Sequence, residues 1–319
     1  MLHVATFNIF WYPESDVPDN VRSAEDEGRI AQVLKNLDAH AIVFQEILDL
    51  PRLQQLLAQV KDSLRLTSPE GDWLASGNVN STHSMKIACA YDTDVLKLVD
   101  KAQLRDPCSE RHFGGRRYPY ALHLRHRDTD WAFTLVGIHC KSGHPVLGDP
   151  DNDPKREMEN GFLAEWLAGE ADTASGQFER PPTPDVLVLG DFNAIWEHDT
   201  MASLQTGALE PWLRPAPQVF RSLAADEPDP LLEGIGEHWT TYLDRRVIDH
   251  VLASPGMAPR LKSPPCIYAF DRDPAMDQSP PGDEHWLHQE TSYQMGQGTM
   301  PNLYRISDHR PVRVSLEVG

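Results

Sequence analysis

The chain has 319 residues and a net charge of −19, is 40% hydrophobic, and contains eight Trp, eight Tyr and ten Phe. That length admits one large domain or two average ones, each with a sizeable core, and no run approaches the roughly eighteen apolar residues a membrane helix needs. The charge excludes a broad nucleic-acid-coating surface, because binding a polyanion relies on neutralising its phosphates with Lys and Arg; it does not exclude a phosphate ester held by a metal ion and a few arginines.

Residues 2–9 alternate between apolar and polar and predict a strand. They lack the basic start and apolar stretch of a signal peptide, so a cytoplasmic protein is expected, or a secreted one whose leader has been removed. "SAEDEGRIAQVLKNLDAH" predicts a helix capped by Ser23, with acids in its first turn and Ile30, Val33, Leu34 and Leu37 on one face. A strand follows at 41–46. "PRLQQLLAQVKDSL" is a second helix, with Pro51 suited to its first turn. Strands are expected at 86–92, 95–99, 119–126 and 131–138, then a helix over about 155–168, a strand at 185–190, a short helix near 199–206, and strands at 247–253 and 311–317. The irregular stretches 169–184 and 255–306 are too long for turns. The strand pattern continues on both sides of them, which makes them surface insertions on a single domain spanning 1–319. Cys89, Cys108, Cys140 and Cys266 show neither C-x-x-C nor zinc spacing and are expected as free thiols.

Six apolar segments run into residues with chemistry: "ATFNIF" with Asn8, "VFQEI" with Gln45 and Glu46, "LVGIHCKSG" with His139 and Lys141, "VLGDFNA" with Asp191 and Asn193, "VIDHVLAS" with Asp249 and His250, and "ISDHRPV" with Asp308 and His309. Residues i and i+2 of a strand share a face, so Asp191 can point with Asn193 into one site while Phe192 packs behind, and His139 can pair with Lys141. Singly, each has an ordinary explanation: an Asn at a strand end is a turn residue, and D-x-N caps a turn. Six together do not. Several carboxylates, an Asn and two His suit a hard cation such as Mg²⁺, with water and phosphate oxygens completing its shell. The acidic "DPDNDP" at 149–154 is a solvated loop rather than a calcium loop, since it lacks the sixth-position Gly and the twelfth-position Glu.

The order Asn, Gln-Glu, His, Gly-Asp-x-Asn, Ile-Asp-His, Ser-Asp-His resembles the endonuclease/exonuclease/phosphatase superfamily, from about residue 3 to 316, with "GDFN" and "SDHRPV" its most specific pieces. The resemblance implies an α/β (α+β) four-layer sandwich, two mostly antiparallel sheets packed face to face with helices outside. It implies a phosphoric ester hydrolase using Mg²⁺ or Mn²⁺, with Glu46 as principal metal ligand, Asn8 beside it, and Asp308 binding or orienting the metal. Asp191 would orient and deprotonate the attacking water, and Asn193 would bind the scissile phosphate. His309 would contact phosphate oxygens with its ring held by Asp249, and His139 would be a second phosphate-facing histidine able to act as general acid. Arg117, two residues before Pro119, resembles an Arg-x-Pro segment that contacts phosphate, or is a solvated basic turn. Val247 stands two before Asp249 where an Arg is common, which leaves Arg245 and Arg246 without that role.

The "HCKSG" run is similar to bacterial nuclease-like members and favours DNA or RNA as substrate. The charge and the absence of a basic, aromatic-studded tract favour a small-molecule or lipid phosphoester, such as an inositol phosphate or sphingomyelin. No membrane insertion and no obligate protein partner is implied, and Trp286 is a poor candidate for a lipid-inserting tip. A non-catalytic scaffold would not need the intact set.

Overall fold

The structure is a computed structural model. It describes residues 1–12, 22–69, 86–105, 117–141, 153–171, 178–195, 198–205, 210–211, 218–220, 240, 247–262, 265–273, 276 and 306–319. Cys108, Arg245, Arg246, Trp286 and most of "DPDNDP" lie outside these residues.

Two mixed sheets form the centre. The first contains β1 (Leu2–Tyr12), β2 (Ala41–Ile47), β3 (Leu64–Thr67), β4 (Lys86–Asp92), β10 (Gln218–Phe220), β12 (Cys266–Tyr268) and β13 (Val312–Leu316), in the order β10-β12-β13-β1-β2-β4-β3. The second contains β5 (Leu96–Gln103), β6 (Tyr120–His126), β7 (Ala132–His139), β8 (Val186–Asp191), β9 (Glu210–Pro211) and β11 (Asp249–Ala253), in the order β5-β6-β7-β8-β11-β9. Pairing is antiparallel except for β1–β2, β7–β8 and β10–β12.

Strand alternation sorts the side chains into three apolar layers. Leu2, Val4, Ala41 and Val43 of the first sheet meet Leu135, Leu187, Leu189 and Val251 of the second. On the outer face of the first sheet, Phe7, Ile9, Ile42 and Phe44 pack under α1 (Ala24–Leu37) and α2 (Leu50–Val60). On the outer face of the second, Val136, Ile138, Val188 and Phe192 pack under α3 (Asp153–Ala168) and α4 (Ala202–Gln205). The result is the expected four-layer sandwich. At α1, Ser23 accepts from the Asp26 N–H while the Asp26 carboxylate accepts from the Ser23 N–H, a complete capping box.

Three local readings need correction. The helix expected over 51–64 stops at Val60, because Leu64–Thr67 pairs with β4 instead. The 255–306 stretch is not only surface insertion: β12 lies within it, and Tyr268, Phe270 and Met276 are buried under the first sheet. The helix near 199–206 opens as a 3-10 turn over Asp199–Met201 before α4.

Gly190 shows why a glycine precedes Asp191. Its φ is +150°, and a Cβ there would stand 2.0 Å from the Ile138 carbonyl oxygen on the neighbouring strand. That backbone cannot give way without breaking the β7–β8 register. Gly190→Ala is expected to cost about 3 kcal/mol or more. Urea unfolding checks this, and a loss under about 1 kcal/mol would contradict the close approach.

Candidate active site

Strand direction brings the polar ends together. β1 and β2 are parallel, and their regular pairing ends at Asn8 and Gln45, beside Glu46. β13 runs antiparallel to β1, so the residues before it, Ser307 to Arg310, reach the same end. On the second sheet His139 is the register partner of Asp191 on parallel β8, and Asp249 is the partner of Asp191 on antiparallel β11. Asp249, Asp308 and His309 therefore stand at strand starts, and His139 and Asp191 at strand ends.

Asn8 joins the two sheets. Its Nδ2 donates to Glu46 Oε1 and to Asp191 Oδ2, each at 3.2 Å. Glu46 reaches this cleft by a backbone device. Ile42 and Phe44 face the helices, so simple alternation would send Glu46 the same way, but its φ of +61° turns the carboxylate inward. Gln45 instead stays in the layer between the sheets, its Nε2 donating to Thr6 Oγ1 at 2.9 Å. Gly137 allows the sheets to close beneath the site, since a Cβ there would meet Val43 Cγ1 at 2.7 Å.

Asp191 is buried. Its Oδ1 accepts from the Asn193 N–H at 2.8 Å, and its Oδ2 lies 3.7 Å from His139 Nε2 and 3.9 Å from His309 Nε2. Phe192 packs outward as expected. Asn193, at φ +52°, turns its Nδ2 to the Cys140 carbonyl at 3.1 Å. His309 Nδ1 pairs with Asp249 Oδ2 at 2.8 Å, which fixes the ring. Arg117 Nη1 lies 3.0 Å from His139 Nε2 and donates to the Cys140 carbonyl at 3.4 Å. Asp308 Oδ1 lies 3.9 Å from His309 Nε2, so all nine residues singled out as site candidates fall in one contact network. Lys141 lies near enough to His139 for its charge to help lower the imidazole pKa, while its backbone N–H donates to Glu159 Oε2 on α3.

The charges are strongly perturbed. Burial, opposed by His309, raises Asp191 to about 7, and the same causes raise Asp308 to about 7. Burial works against a charged His309, but Asp249 and then Asp308 outweigh it and hold its pKa well above the usual value. His139 moves the other way, lowered by burial and then by Arg117. A guanidinium is always a donor, so His139 Nε2 accepts from it and the imidazole is neutral with its proton on Nδ1.

Two buried carboxylate oxygens accept no hydrogen bond, Glu46 Oε2 and Asp308 Oδ1, the latter 3.9 Å from His309 Nε2. Orphaned buried acceptors need an explanation, and a divalent cation supplies one, so the residues fit a metal. Glu46, His139 and Asp191 also offer ligand atoms within 4.8 Å of one another. The engagement of His139 Nε2 by Arg117 argues against that grouping; Asn8 meets Glu46 through Nδ2, while its Oδ1 accepts from the Phe10 N–H at 3.1 Å.

Residues that sequence reasoning missed hold this network from behind. Ser307 Oγ donates to the Asn8 carbonyl at 2.5 Å and accepts from the His309 N–H at 2.9 Å. Thr240 Oγ1 accepts from the N–H groups of Ile248 and Asp249, both at 3.1 Å. Arg22 Nη2 donates to the carbonyls of Ile9, Phe10 and Ile306, tying the end of β1 to the turn that carries Asp308. Arg310 forms a buried two-point pair with Asp271, 2.9 and 2.8 Å, anchoring the other side of that turn.

The sequence matches the model of the Endonuclease/Exonuclease/phosphatase family over residues 5–309. A search of curated protein sequences finds no match. Among solved structures, the fold is similar to mannosyl-6-phosphatase from Bacteroides thetaiotaomicron, with a TM-score of 0.59, 16% identity and 100% of both chains covered. It is also similar to D. rerio TDP2 complexed with single strand DNA product, with a TM-score of 0.57, 12% identity and 99% of both chains covered. Sphingomyelinase C from Streptomyces griseocarneus gives a TM-score of 0.55 at 16% identity, with 99% of both chains covered. No helix among the described residues is long and apolar enough to cross a membrane. The chain belongs to the endonuclease/exonuclease/phosphatase family, whose members are phosphoester hydrolases that use divalent metals.

Proposed function

We propose that this chain, as one domain, is a Mg²⁺- or Mn²⁺-dependent phosphodiesterase acting on DNA or RNA. The observation that carries the phosphodiesterase reading is the juxtaposition of two buried carboxylate oxygens that accept no hydrogen bond, on Glu46 and Asp308, with the Asp191–His309–Asp249 chain of contacts. Glu46, Asn8 and Asp308 would hold the metal, which when bound neutralises phosphate charge and stabilises the leaving oxygen. Asp191 takes the proton of the attacking water. Asn193 and Arg117 bind the phosphate. His309, kept protonated by Asp249, supplies a positive contact to its oxygens. His139, being neutral and engaged by Arg117, orients rather than donates a proton, which replaces the general-acid role expected from sequence.

The nucleic-acid choice draws on "HCKSG" and on the fold shared with a protein solved with a single-strand DNA product. The net charge of −19 favours a second reading, a small-molecule or lipid phosphoester. A panel of plasmid, single-stranded DNA, RNA, bis-p-nitrophenyl phosphate, inositol phosphates and sphingomyelin separates them, with Asp191→Asn as blank. Degradation of a polymer that is lost in the blank supports the first reading; turnover of small or lipid esters alone moves the protein to the second.

The carboxylates also predict a pH-dependent metal effect. Asp191 and Asp308 keep protons to about 7 in the metal-free fold, whereas an unfolded Asp loses its proton near about 3.9. Between those limits the folded state binds more protons, so this contribution to stability is greatest on the acid side and is lost as pH rises through about 7. A cation replaces the protons, so its benefit grows as they leave. Metal-free protein is expected to melt higher at about pH 6 than at about pH 8, and Mg²⁺ to raise the melting temperature more at about pH 8. Scanning calorimetry with and without chelator reads this. Equal metal increments at both values would remove Asp308 from the metal site.

A further inference from the structure

We propose that Glu159 of α3 is a positioning residue for phosphate binding that acts by fixing the plane of the Cys140–Lys141 peptide. The inference rests on the phosphate-binding roles proposed for Asn193 and Arg117. A trans peptide presents its C=O and N–H on opposite sides. Here the N–H donates to Glu159 Oε2 at 2.7 Å, while the C=O accepts from Asn193 Nδ2 at 3.1 Å and from Arg117 Nη1 at 3.4 Å. One peptide thus carries the helix restraint on one side and two site side chains on the other.

Packing does not account for this carboxylate. Glu159 is 5% exposed and lies on the buried stripe of α3 with Phe162, Leu163 and Trp166 at i+3, i+4 and i+7. Burial pushes its pKa up to about 7, so the position is costly for an acid and suited to leucine. What the acid contributes is an acceptor for the Lys141 N–H and the Cys140 thiol, and a negative charge near Arg117. Its helix neighbours grip the same segment: Arg156 Nη1 donates to the Lys141 carbonyl at 3.4 Å, and the Cys140 thiol donates to Asn160 Oδ1 at 3.6 Å. Turning the peptide over would set an N–H against the donors of Asn193 and Arg117. Both residues already hold left-handed backbones, each at φ +52°, so the Cys140 carbonyl is a shared acceptor that aims their side chains. Arg117 also touches His139, which extends the effect to the imidazole.

The test compares ¹⁵N-labelled wild type, Glu159→Gln, Glu159→Met, Asn193→Ala and the Glu159→Met/Asn193→Ala double variant. Gln keeps an acceptor oxygen of the same reach, and Met keeps the bulk without one. In Glu159→Met the Lys141 amide and the Asn193 side-chain amide resonances are expected to shift and exchange faster, whereas Glu159→Gln leaves the Asn193 signals in place. On bis-p-nitrophenyl phosphate with Mn²⁺, Glu159→Met should lose about ten-fold in kcat/KM and Glu159→Gln about two-fold or less. The double variant should lose less than the product of the two single losses, since both changes act through the Cys140 carbonyl that Asn193 shares with Arg117. Glu159→Ser, short enough to leave the N–H to water, carries the same expectation if Met disturbs folding. An unmoved Asn193 amide, or losses that multiply in the double variant, overturns the proposal. If wild type turns over no ester, the functional reading fails instead, and the Asn193 amide still decides the role of Glu159.

Discussion

Asp191→Asn is expected to lower kcat by about 10³-fold, within the 10²–10⁴ range for loss of a general base, while folding and metal affinity stay near wild type. Asn keeps an oxygen to accept the Asn193 N–H, now at 2.8 Å. It places an NH₂ where Asp191 Oδ2 accepts from Asn8 at 3.2 Å, a donor-to-donor clash worth roughly 1–3 kcal/mol. Against that, the buried acid no longer has to be charged above about pH 7, a relief of the opposite sign. The two effects offset, so the fold survives with its base removed. Turnover at saturating Mg²⁺ is compared with a Mn²⁺ binding isotherm and a melting curve. Wild-type kcat in this variant would falsify the base role. Intact kcat with weakened metal binding would move Asp191 into the metal shell beside Glu46.

Legibility in the sequence follows the range of the forces that place each residue. Asp191 and Phe192 were readable because alternation along one strand decides their faces, and β8 obeys it. Glu46 was found through resemblance; alternation sends it to the helix side, and only its positive φ turns it into the cleft. Asp249, Asp308 and His309 were visible as polar neighbours of apolar runs, but their convergence with Asp191 depends on antiparallel pairing that no local pattern encodes. Leu64, the first residue of β3, reads as a helix tail because it continues the spacing of Leu57 and Val60, and its partner strand β4 begins more than twenty residues later, at Lys86. Arg22, which ties Ile9 and Phe10 to Ile306, and Asp271, which pairs with Arg310, act through contacts distant in the chain that no local pattern marks. Glu159 leaves one, an acid at helical spacing from Phe162, Leu163 and Trp166 on the buried face of α3.

Glu46→Gln separates the metal from the base. Glu46 Oε1 accepts from Asn8, and Oε2 is buried without a partner at 14% side-chain exposure. Gln preserves the first contact and puts an uncharged donor in place of the second oxygen, where a cation needs negative charge and a lone pair. Outer-shell changes cost a metal site about 10–100-fold in affinity, so loss of a direct carboxylate ligand should raise the Mg²⁺ requirement by about 100-fold or more. The backbone stays in place, because the φ of +61° is set by the chain around it and Gln tolerates it as Glu does. The decisive comparison is kcat extrapolated to saturating metal: excess Mg²⁺ should restore much of the turnover of Glu46→Gln and none of that of Asp191→Asn. An unchanged metal titration for Glu46→Gln would place the cation elsewhere, and the compact Glu46–His139–Asp191 grouping would then fail with it, since both arrangements share this carboxylate.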